Sequence, residues 1–202
     1  MNRALIAIGL AVITAVVVPL GYFAAEAVPD PITEWSSAAQ TAVGAAGMAP
    51  LRTPITFAIL HLAMYDAVNA ITRDREPYAV LPPVVRPASA ASAAVEAGYR
   101  VLLAEVPSRQ PALDVVYARL RASIPDSEEK INGAAAGAAV ARQLLEIRAN
   151  DGRNLNIPYV PGSGPGIWIP TPPAFLPATT AFLARITPFT MESTSQFRPG
   201  GP

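Results

Sequence analysis

His61, Tyr65, Asp66 and Asn69 lie together in "FAILHLAMYDAVNAI", Phe57 to Ile71, a segment otherwise apolar enough for a buried helix. A histidine near a carboxylate is the raw material of general-base chemistry, because the acid can orient the imidazole while the free ring nitrogen takes a proton. On a helix, however, His61 and Asp66 project about 140° apart, so that pair is poorly aimed. His61, Tyr65 and Asn69 form a drifting i, i+4, i+8 line, and Asp66 and Asn69 are i, i+3 neighbours. Polar groups taken out of water cost a few kcal/mol each unless they are hydrogen-bonded. The four residues therefore read as a structural polar network that fixes how the helix docks. No catalytic, cofactor-binding or metal-ligating residue is assigned.

Other chemistries find less support. "GSGPG", Gly162 to Gly166, lacks the Lys-Ser/Thr pair of a phosphate loop and runs into "IWIPTPP" instead of a helix. A serine hydrolase needs a base, and the one histidine lies mid-helix with no nucleophile elbow in the chain. The absence of cysteine excludes disulfides and thiolate chemistry. Lys+Arg and Asp+Glu both number 15, so no net positive field attracts nucleic acid or anionic lipid. The basic residues are 14 scattered arginines and a single lysine, Lys130.

The elements that must position these residues are helical. Asp30 is placed to cap a first helix with Pro31 in its first turn and Gly47 near its end. Thr53 is the expected N-cap of the polar-bearing helix, Pro54 its first residue, and "REPY" its end. After the proline-rich connector "VLPPVVRP", a third helix is expected from about Ser89 to Val106. The fourth carries Leu113, Val116, Tyr117, Leu120 and Ile124 on one stripe, with Arg109, Asp114, Arg119 and Arg121 on a solvated face. The fifth opens at "DSEE", with Asp126 as cap and Glu129 reaching back, and closes at "NDG". Its alanine- and glycine-rich middle lets a neighbouring helix approach closely. No strand and no internal repeat is evident.

The two ends differ in character. "MNR" followed by the 15-residue apolar run "ALIAIGLAVITAVVV" and small residues at Ala25 and Ala27 reads as a secretory signal cleaved after Ala27. The alternative is an uncleaved anchor, since Ala4 to Phe23 reaches the roughly 20 residues of a membrane span. Either way the remainder is exported, to periplasm or medium. From Arg153 onward fall ten of the 22 prolines, Trp168 and four of the six phenylalanines, Phe175, Phe182, Phe189 and Phe197. A linker would be polar, so this is an ordered, irregular strap covering apolar surface, with one short helix at "TTAFLARI". The division is signal peptide 1–27, an all-α bundle of about five helices over 28–152, and a Pro/aromatic strap over 153–202.

The succession "DPITEWSSAA", "MAPLRTPITFAILHLAMYDAVNAI", "REPY", "RANDG", "GPGIWIPTPPAFLP" and "ITPFTMESTSQFRPGGP" resembles the amino-terminal half of bacterial vanadium-dependent haloperoxidase-like proteins, relatives of the type 2 phosphatidic acid phosphatase superfamily. The resemblance implies an all-helical fold of two bundles, with a vanadate- or phosphate-shaped pocket in the second. That pocket uses a lysine and an arginine ahead of a proline, a Ser-Gly-His segment, and a later arginine and histidine. None of these is in this chain: Lys130 has no Arg-Pro at the required distance, and His61 stands alone. No functional residue carries over.

The reading is thus the exported amino-terminal scaffold of such a peroxidase- or phosphatase-like protein, without the catalytic half and without a cofactor of its own. Vanadate is implied only for a complete family member. The chain stops at "FRPGGP", where family members continue, so a fragment or truncated product is expected, with the carboxy-terminal half or a second copy as partner. The alternative is a free-standing exported helical module that binds a partner through its aromatic strap and has no catalysis.

Overall fold

The computed structural model describes residues 29–200. The signal peptide expected at 1–27 and its cleavage after Ala27 lie outside the described residues. Those residues form five α-helices and, among them, no strand: α1 Pro31–Ala45, α2 Thr53–Thr72, α3 Ala90–Glu105, α4 Gln110–Ala122 and α5 Glu128–Arg148. The chain is all-α. A 3₁₀ turn, Pro107–Arg109, leads into α4, and another, Ala181–Arg185, lies within the "TTAFLARI" segment.

α2, α3 and α5 pack on one another at the centre, and α1 and α4 flank α3. α3 is enclosed on most sides, with Ser92 to Gly98 buried as an unbroken run. The small residues of α5 explain how it fits there. A Cβ on Gly133 would collide with the Ser89 carbonyl oxygen, and one on Gly137 with that of Ala93, so only glycine permits this approach. The closeness is then used for polar bonds between backbones: Ser89 N–H donates to the Glu129 carbonyl at 2.8 Å, and the Ser92 hydroxyl to that of Lys130 at 2.7 Å. On the other side of α3, the fully buried Trp35 of α1 lies against Gly98 and donates its indole N–H to the Val95 carbonyl at 3.1 Å. Truncating such an indole costs on the order of 3–5 kcal/mol.

Helix ends follow local chemistry, with corrections to the sequence reading. Asp30 caps α1, accepting from the N–H groups of Ile32 and Thr33 at 3.3 and 3.1 Å. Thr53 is not the cap of α2; it is the first helical residue, and Arg52 occupies the cap position with no side-chain bond to the helix. Asp126 is not the cap of α5. Its carboxylate instead takes the ammonium of Lys130 at 2.8 Å, and Ser127 caps by accepting from the Lys130 N–H at 3.2 Å. The lysine ammonium also donates to the Ile124 carbonyl at 2.8 Å, tying the α4–α5 turn shut. α5 ends at Arg148, ahead of "NDG"; Gly152, at φ +92°, serves a later turn where the Arg185 backbone passes too close for a Cβ.

The outer face of α4 is not freely solvated. Asp114 accepts from the Tyr99 hydroxyl at 2.6 Å, Arg119 pairs with Glu34 of α1 at 2.5 Å, and Arg121 lies 3.8 Å from Glu96. Leu113 and Leu120 are the fully buried residues of α4, and Val116 and Tyr117 pack partly buried against the core beside them.

Candidate functional site

The polar residues of α2 divide between two places. Asp66, fully buried, accepts three backbone N–H bonds from the segment after the helix: Tyr78 at 2.7 Å on one oxygen, and Ala79 and Val80 at 3.0 Å on the other. One turn on, the Asn69 amide closes a two-way bond with Arg75, donating to its carbonyl at 2.8 Å and accepting its N–H at 3.0 Å. The Tyr65 hydroxyl donates to the Glu76 carbonyl at 2.7 Å. Three of the four residues therefore grip one stretch of backbone, 75–80, which turns back after Arg73 ends α2 in the left-handed conformation at φ +57°. An ionised carboxylate accepting several N–H bonds is a strong and directional anchor. The bonds run to the connector that follows the helix.

His61 does not join that group. Its Nε2 lies 3.4 Å from the Ser36 hydroxyl of α1, with the Phe57 ring tilted beside it at 6.2 Å. Burial pushes the imidazole below its usual value of 6.5. A serine and a histidine at this distance suggest nucleophilic catalysis, but the geometry runs against it. The Ser36 hydroxyl already donates to the Ile32 carbonyl at 2.6 Å, and Asp66, the carboxylate nearest in sequence, is spent on the three N–H bonds. Vanadate would need a histidine with several cationic donors converging on one oxyanion; among the described residues the groups placed against His61 are instead a hydroxyl and an aromatic ring.

The densest charged cluster escaped the sequence reading. Arg148 and Asp151 meet through Nε and Nη2 at 3.0 and 2.9 Å, and Arg153 reaches Asp151 at 2.9 Å and Glu105 of α3 at 2.8 Å. Glu105 is further held by the Thr56 hydroxyl of α2 at 3.1 Å. Two cations and two anions, all buried, balance each other, the arrangement in which buried charge is tolerated. The cluster also captures the tail. Arg148 donates to the Thr187 and Pro188 carbonyls at 2.8 and 3.3 Å and lies over the Phe189 ring at 3.9 Å, while the Asp151 carbonyl accepts the Thr187 N–H at 2.7 Å. Tyr78, already held by Asp66, donates its hydroxyl to the Phe189 carbonyl at 3.0 Å. A sequence signal existed in "RANDGR", where three charges fall within six residues, but Glu105 and the tail carbonyls arrive only through folding.

A third cluster joins α3 to α4. Glu96, nearly buried, accepts from Arg100 at 2.7 Å and from the Tyr117 hydroxyl at 2.5 Å, and Tyr117 stacks on Tyr99 with centroids 4.2 Å apart. The bond from Tyr99 to Asp114, with a lesser contribution from burial, raises that phenol to about 12.

Beyond these anchors the tail is open. Phe182 is buried and Phe189 half-buried, whereas Trp168, Phe175 and Phe197 are 42%, 62% and 78% exposed. No family model matches the chain, and neither a curated protein nor a solved structure is found to match it.

Proposed function

We propose that this chain is the exported amino-terminal helical scaffold of a vanadium-dependent-haloperoxidase-like or phosphatase-like protein, acting by supporting and docking a carboxy-terminal half that carries the vanadate or phosphate site. The sequence resemblance motivates the family. The observation that carries the scaffold role is the buried Arg148–Asp151–Arg153–Glu105 cluster, which fixes the tail at Thr187 to Phe189 while Trp168, Phe175 and Phe197 on that tail remain exposed. An aromatic, proline-rich strap anchored from Phe182 to Phe189 and bare at Trp168, Phe175 and Phe197 has apolar surface to give to a partner. Each large aromatic brings roughly 150–250 Å² to such a contact.

The DNA immediately downstream tests this first. An open frame encoding a Ser-Gly-His segment, an Arg-Pro preceded by lysine and a further histidine supports the proposal. A stop followed by unrelated sequence defeats it and leaves the free-standing partner-binding module. The second test is physical: the purified 202-residue chain is expected to bind a hydrophobic dye, and co-expression with the encoded second half to abolish that binding. A dye-silent, monodisperse monomer contradicts the scaffold role.

A further inference from the structure

From Asn154 to Ala184 the strap runs 31 residues without a single charged side chain. Within that stretch residues 158–169 are exposed without a break, so none of their side chains is packed into the bundle. They nevertheless form a loop closed on itself. Tyr159 meets Trp168 edge to face with ring centroids 5.5 Å apart, the Ile167 N–H donates to the Gly164 carbonyl at 3.3 Å, and an Ile167 methyl lies 3.6 Å from where Gly162 would carry a Cβ. The closure holds apolar side chains out in water: Val160 is 84% exposed and Ile169 67%, with Ile167 and Trp168 at 42% each. An apolar cluster kept in water marks a contact with a protein or a membrane.

We propose that this loop docks on lipid, seating Val160, Ile167, Trp168 and Ile169 in the interfacial layer of an uncharged phospholipid surface. Three observations choose lipid over a protein. A specific protein interface takes about one hydrogen bond per 100–200 Å² and a polar rim, whereas Tyr159, Ser163 and Trp168 are the only side chains of residues 158–169 with a hydrogen-bonding group. Four of the thirteen residues 158–170 are proline and carry no N–H, which lowers the cost of drawing an irregular backbone partly out of water. The paired tyrosine and tryptophan sit beside aliphatic side chains, and such rings favour a boundary that is apolar on one side and wet on the other. The lipid class follows from charge: anionic headgroups are held by lysine and arginine, and the loop has neither. The inference goes beyond the scaffold reading and does not rest on it. It assigns the loop, Trp168 included, to lipid and leaves Phe175 and Phe197 for a second half.

The test mixes the purified chain with phosphatidylcholine vesicles and measures co-sedimentation together with quenching of tryptophan fluorescence by brominated lipid. Trp35 is fully buried, so the quenching reads Trp168. Bound chain should be quenched, and its partition should change less than about twofold between low and high salt, because no ion pair contributes. Val160→Ser combined with Ile169→Ser should weaken the partition roughly tenfold or more, about the worth of taking one large aliphatic side chain out of water. Both positions are exposed, so the variant keeps the fold. Val115→Ser, at a comparably exposed position on α4, should leave the partition unchanged, and this comparison also separates the loop from the apolar run near the amino terminus. The inference fails if the chain stays in the supernatant, if binding requires anionic lipid, if the double variant and Val115→Ser behave alike, or if bound chain is not quenched. It also fails, with the scaffold reading left standing, if a co-expressed second half shields Trp168 from acrylamide. Loop-dependent vesicle binding by a chain with no second half encoded downstream upholds the lipid assignment and defeats the scaffold.

Discussion

Replacing Asp66 by asparagine tests the central claim about α2, that its buried carboxylate is an anchor for the connector. The side chain changes by one atom, so its packing is hardly disturbed, but one of two acceptor oxygens becomes an NH₂ aimed at backbone donors. Hydrogen bonds to a charged group contribute about 1.5–3 kcal/mol each, and three of them would sum to roughly 4.5–9 kcal/mol if they were additive. They are not, because all three belong to consecutive residues. Ala79 is exposed and Tyr78 half-buried, so their N–H groups regain water when the turn loosens, whereas Val80 is buried and its N–H does not. The expected loss is therefore about 2–4 kcal/mol for Asp66→Asn, with Asp66→Ala at the upper end. Urea unfolding reads this directly: at a slope of about 2 kcal/mol per molar, the midpoint should fall by roughly 1–2 M with the slope itself unchanged. Asn69→Ala alone should cost about 1–3 kcal/mol, and the pair should lose less than the sum, since both residues hold the same loop. A loss under about 0.5 kcal/mol, the level of an exposed control such as Arg142→Ala, would refute the anchor.

Gly137→Ala sets helix propensity against packing: alanine gains about 1 kcal/mol in a helix interior, yet its methyl meets the Ala93 carbonyl, so calorimetry should show a net loss of about 1–3 kcal/mol. Tyr99 adds a pH dependence of definite sign. Its folded value, about 12, lies above the ordinary 10.0, so the neutral phenol is the form the fold favours; the stability it contributes is complete below pH 10 and is lost as pH rises through 12. Denaturant titrations from pH 9 to 12 should show a steeper decline for the parent than for Tyr99→Phe, and equal slopes would contradict the assignment. Amino-terminal sequencing of exported material should read from Val28; a protein beginning at Met1 would favour an anchor instead.

Sequence alone determined what short-range chemistry can decide. Apolar periodicity marked α3 and α4, end signals marked the other three helices, with Asp30 and Pro31 at the start of α1, and the glycines of α5 announced a close helix approach, because propensity, capping and the 3.6-residue period act within a few residues. It failed where two local solutions compete. Asp126 and Ser127 are both good caps, and the choice fell to the Lys130 ammonium, which took the carboxylate. Tertiary structure decided everything that depends on a distant partner. Sequence could say that Asp66 and Asn69 must be satisfied, but not that Val80 and Arg75 would satisfy them. Nor could it bring Glu105 to Arg153 across 48 residues, or Thr187 to Arg148 across 39, since a buried charge accepts whatever countercharge the packing of nonpolar faces delivers.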